Sequence, residues 1–65
     1  MTNHSLVAHA RSAWSIREVA RRNDLSAQFV RLEIARGKLR AKRIGRRVLI
    51  PVTAEKEWLE NAPER

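Results

Sequence analysis

The chain predicts a small α+β domain: two short helices, a basic two-stranded β-hairpin and a closing helix. Three observations carry that reading. Ser15 and Ser26 each stand at N-cap spacing ahead of an apolar helical stripe. Gly37 and Gly45 sit where a helix must stop and a hairpin must turn. Between Lys38 and Ile50 the apolar residues change from a helical to an alternating period.

In the first helix, Ser15 and Glu18 have capping-box spacing, and Trp14 with Val19 occupies the staple positions. The spacing predicts a helix from Ile16 to about Arg22, with Ile16, Val19 and Ala20 inward and Arg17, Arg21 and Arg22 elsewhere. Asn23-Asp24-Leu25 reads as a tight polar turn with Leu25 buried. Ser26 then caps a second helix, in which Val30 and Ile34, four apart, share a buried face beside Ala27. Gln28, Arg31, Leu32, Ala35 and Arg36 spread over the other faces, and Gly37 supplies a left-handed stop at no Cβ cost. Two short helices joined this closely form a helix-turn-helix. Phe29 lies off the inner stripe and is expected to pack on the first helix or the hairpin. The alternative is that Phe29 or Leu32 meets a thymine methyl or a neighbouring protomer.

Lys38 to Ile44 alternates Leu39 and Ala41 against Arg40 and Lys42, and Arg47-Val48-Leu49-Ile50 is rich in branched residues. Gly45-Arg46 between them suits a type II′ turn, which places Arg46 and Arg47 at or beside the hairpin tip. Pro51 closes the second strand, Thr53 caps the last helix, and Pro63 stops it. Ala54 and Trp58, joined by Leu59 and Ala62, form its inner side, with Trp58 as a core plug.

Sixty-five residues make one domain with a thin core, and with no Cys neither a disulfide nor a zinc cluster can reinforce it. Residues 1–13 read as a flexible arm, 14–62 as the folded domain and 63–65 as a tail. His4 and His9 fall in the arm without Cys or carboxylate partners, so no metal site is expected. No secretory or membrane-spanning segment is legible, and the lack of Cys fits a reducing cytosol. Without Cys, Tyr or a glycine-rich phosphate loop, neither catalysis nor a cofactor is expected.

The net charge of +7 is not evenly spread. Residues 31–47 carry eight Lys and Arg against Glu33 alone, while the flanking segments nearly cancel. Dense like charge repels itself, so the pattern points to a polyanion, most simply nucleic acid.

From Trp14 to Leu59 these motifs form an ordered set: W-S-I-R-E-V-A, Leu25-Ser26 with Val30 and Ile34, then G-K-L-R-A-K-R-I-G-R-R-V from Gly37, and a capped helix ending Trp58-Leu59. The set resembles the small winged helix-turn-helix of phage excisionases, the recombination directionality factors, and of MerR-like DNA-binding domains. The resemblance implies a recognition helix in the major groove and a hairpin wing on the adjacent minor groove or phosphates. Matching contact positions are Gln28, Arg31 and Leu32 on the helix, with Ser26 and Ala27 at its start, and Arg46 and Arg47 in the wing. Leu32 and Ala35 stand where some relatives carry polar base readers.

Chemically, Gln28 can bridge adenine N6 and N7, and Arg31 can reach guanine O6 and N7 or a phosphate. Arg17, Arg36, Lys38, Arg40, Lys42 and Arg43 suit phosphates, and Arg46 suits a narrow minor groove. The function this implies is an excisionase that binds and bends attachment-site DNA and so directs integrase-mediated prophage excision. Its partners would be double-stranded DNA, an integrase and further copies on DNA, with no membrane, in the cytoplasm and nucleoid of a bacterial host. The alternatives are a small helix-turn-helix transcriptional regulator or, less in keeping with the fold, an adaptor for RNA or an acidic protein.

Overall fold

The computed structural model describes residues 12–63. Most of the expected arm, including His4 and His9, and the last two residues of the tail lie outside them. The elements run β1 (Ala13–Ser15), α1 (Ile16–Arg22), α2 (Ala27–Ala35), β2 (Lys42–Ile44), β3 (Arg47–Pro51) and α3 (Val52–Glu60). This is a small α+β domain of three helices and a three-stranded antiparallel sheet in the order β1-β3-β2.

Local chemistry defines both ends of α1 and α2. Ser15 Oγ accepts from the Glu18 N–H at 3.1 Å while Glu18 Oε1 accepts from the Ser15 N–H at 2.8 Å, a complete capping box. Ser26 Oγ accepts from the Phe29 N–H at 3.0 Å. Each helix is followed by a left-handed residue, Asp24 at φ 57° and Gly37 at φ 78°. The Leu25 N–H then donates back to the Ala20 carbonyl at 2.8 Å and the Lys38 N–H to the Glu33 carbonyl at 2.9 Å, so both ends are Schellman motifs. The link between α1 and α2 is therefore a hydrogen-bonded corner that fixes their angle.

The core is Val19, Ala20, Val30, Leu39, Ile50, Ala54 and Trp58, with Trp14, Ile16, Ala27, Ile34 and Ala41 packed at its edge. Trp58 is the plug the sequence suggests, and its Nε1 donates to Glu33 Oε1 at 3.0 Å. A second tie joins α1 to α3. Buried Glu55 accepts from Arg22 Nε at 3.1 Å, Arg22 Nη2 at 3.2 Å and Asn23 Nδ2 at 2.9 Å, and the Arg22 guanidinium lies 4.0 Å over the Trp14 ring.

Several expectations need correction. The sheet has three strands instead of two, because Ala13, assigned to the arm, pairs with Pro51, Trp14 with Ile50 and Ser15 with Leu49. The hairpin begins at Lys42 instead of Lys38. Leu39 is drawn into the core at 1% exposure and its N–H donates to the Glu33 carbonyl at 3.2 Å, which holds residues 38–41 against the end of α2. Thr53 does not cap α3. The helix starts at Val52, with Pro51 at the N-cap position and no side-chain cap, and the Val52 N–H donates to the Ser12 carbonyl at 2.9 Å. Leu25 and Leu59, expected inside, are both exposed, as is Ala62. No described helix is long and apolar enough to cross a membrane.

Candidate functional site

Burial of Val30 and Glu33, with Ala27 and Ile34 half-buried, leaves one face of α2 outward. Gln28, Arg31, Leu32 and Ala35 are all exposed, and their i, i+3, i+4, i+7 spacing puts them on that single face. Two polar side chains able to read a base edge are thus interleaved with two apolar ones. The Ser26 hydroxyl is committed to the helix start, and Ala27 packs on the core.

The hairpin register sorts the wing. Lys42 pairs with Leu49, Arg43 with Val48 and Ile44 with Arg47. Directly paired residues share a face and successive ones alternate. Buried Ile50 therefore places Val48 and Arg43 on the core side, and Lys42, Ile44, Arg47 and Leu49 on the outer side. The turn has Gly45 at φ 62° and no positive φ at Arg46, the sign pattern of a type II′ turn. Arg46 thus occupies the tip and Arg47 opens β3.

The ion pairs decide which cations remain available. Arg36 lies 3.7 Å from Glu33 and Arg40 lies 3.0 Å from Glu57. Arg22 is held by Glu55. Among the described residues, Arg17, Arg21, Arg31, Lys38, Lys42, Arg43, Arg46, Arg47 and Lys56 are exposed and form no ion pair. The free positive charge is therefore densest on the wing, with Arg31 on α2, Arg17 and Arg21 on α1 and Lys56 on α3. Sequence reasoning counted Arg36 and Arg40 with the available cations. The i, i+3 spacing of Glu33 and Arg36 was the readable sign to the contrary for one of them.

Phe29 is a partly open side chain of α2. It is 40% exposed and borders, with Leu25, Glu33, Lys38, Trp58, Leu59 and Pro63, a groove of about 570 Å³ beside the end of α3. Leu32, 43% exposed, stays on the outward face of α2. The sequence reading also missed Ile44, which is 61% exposed at the end of β2.

Compared with known protein families, curated proteins and solved structures, the chain shows no match.

Proposed function

We propose that this chain is a winged helix-turn-helix protein that binds duplex DNA, with α2 in the major groove and the β2–β3 hairpin on the adjacent minor groove or phosphates. One observation carries the reading: the unpaired cations gather on the hairpin, while every described acid within the basic stretch or paired to it is already engaged. A wing of that charge, left without counter-charge in the protein, gains most from a phosphate backbone through release of condensed counterions.

The finer reading is an excisionase that lines up several copies on attachment-site DNA, bends it and favours integrase-catalysed excision in the bacterial cytoplasm. It is supported by the sequence resemblance and by the outward face of α2, which offers only Gln28 and Arg31 as hydrogen-bonding readers. So few readers leave one copy weakly selective, and adjacent copies on repeated sites would restore selectivity.

Fluorescence anisotropy with a labelled DNA duplex and an RNA duplex of equal length tests the first level. Tighter binding to DNA, falling with salt, is expected, because the deep narrow groove of A-form RNA does not admit a helix. Equal affinity for both, or none for DNA, overturns the proposal. Footprinting on DNA beside an integrase arm site tests the second level: tandem protection supports excision, and a lone protected site over a promoter supports transcriptional control.

A further inference from the structure

Ile44 is the most exposed large hydrophobic side chain among the described residues, at 61%. It is the last residue of β2, paired with Arg47 and followed directly by the Gly45-Arg46 turn. It takes no part in the core, because it lies on the outer side of the sheet, opposite buried Ile50. Lys42 and Arg47 share that side, Arg43 stands on the other and Arg46 on the tip, all exposed and without ion pairs.

An apolar side chain ringed by free cations is complementary to a surface whose outside is anionic and whose inside is apolar. Duplex DNA has that construction, with phosphate rails over stacked bases. Isoleucine is branched at Cβ and stiff at χ1, so ordering it costs little side-chain entropy. The tip is also slim, since a Cβ built at Gly45 would meet no atom within 4 Å. Other minor-groove proteins insert apolar side chains between base steps and kink the duplex.

We propose that Ile44 is a wedge that enters a base-pair step from the minor groove, so that the wing kinks the DNA it grips. Arg46 and Arg47 hold the flanking backbone and Ile44 opens the stack. The preferred sites are pyrimidine–purine steps such as TA, which unstack most easily. The inference rests on the DNA-binding reading above and adds to it the residue that deforms the duplex.

The test uses the full chain and a duplex carrying 2-aminopurine at a central TA step and a fluorophore pair at its ends. Bound wild-type protein is expected to raise the 2-aminopurine fluorescence and shorten the end-to-end distance. Ile44→Ala should lose most of both signals while keeping the wild-type salt dependence of binding, and Ile44→Met, which keeps an apolar side chain of similar length, should retain them. An Ile44→Ala protein that unstacks and bends like wild type overturns the wedge and leaves DNA binding standing. So does an Ile44→Ala protein that changes only the number of copies bound, which would assign Ile44 to a protein contact. A wild-type protein that binds no duplex overturns both.

Discussion

Trp58 Nε1 donates to Glu33 Oε1 at 3.0 Å, and both side chains are buried. The bond fastens α2 to α3. It also buries the one acid of residues 31–47, whose ion pair among the described residues is with Arg36 at 3.7 Å, so the wing cations gain no counter-charge from it. Glu33→Ala should cost about 1–3 kcal/mol, because it leaves a buried indole N–H without an acceptor. Glu33→Gln keeps an acceptor and should cost less. Urea denaturation followed by tryptophan fluorescence checks both, and equal losses for the two variants would show that the hydrogen bond is not what matters.

Asp24 stands at φ 57°, a conformation that costs an ordinary side chain roughly 1–2 kcal/mol, and Asp somewhat less. Asp24→Gly should therefore stabilise the domain by about 0.5–1 kcal/mol, offset in part by the greater freedom of glycine in the unfolded chain. The reverse holds at Gly37, where φ is 78° and a new Cβ would meet no atom within 4 Å. Gly37→Ala should cost roughly 1–2 kcal/mol from backbone strain alone. Thermal melts by circular dichroism should show the two variants moving in opposite directions, by ~4–8 °C per kcal/mol for a domain of this size.

Arg46 and Arg40 make a matched pair for the binding reading. Both are exposed, but Arg40 is held 3.0 Å from Glu57 and Arg46 has no ion pair among the described residues. Arg46→Ala should weaken duplex binding and reduce the slope of log K against log salt by about 0.9, the contribution of one phosphate contact. Arg40→Ala should change the slope by less. Anisotropy titrations at several salt concentrations measure it, and an unchanged slope for Arg46→Ala would remove the wing tip from the interface.

What was legible in the chain was whatever neighbouring residues decide. Ser15 with Glu18, Ser26 with the Phe29 N–H, Gly37 and Gly45 act within a few positions, so their caps and turns follow from spacing. β1 is three residues long, and its pairing with residues 49–51 depends on how the intervening helices fold, so no local pattern announces it. The burial of Glu33 and Glu55 has no local sign, because burying an acid depends on partners from other elements, Trp58 for one and Arg22 with Asn23 for the other. Leu39 reads as a strand residue by alternation, but its burial delays the start of the strand and moves the hairpin to Lys42. The outward face of α2 was legible because Val30 and Ile34 define its opposite side. The exposure of Ile44 was not, since alternation alone does not tell which side of a hairpin is covered.

The proposed DNA binding requires the outward face of α2 and the wing tip to engage one duplex together, and an amide NMR titration of the chain with duplex DNA measures this most directly. Shifts at Gln28, Arg31 and Leu32 and at Ile44 to Arg47 should appear together and saturate at the same DNA ratio. Shifts confined to one of the two elements, or centred on the groove of Leu25, Phe29 and Leu59, would contradict it.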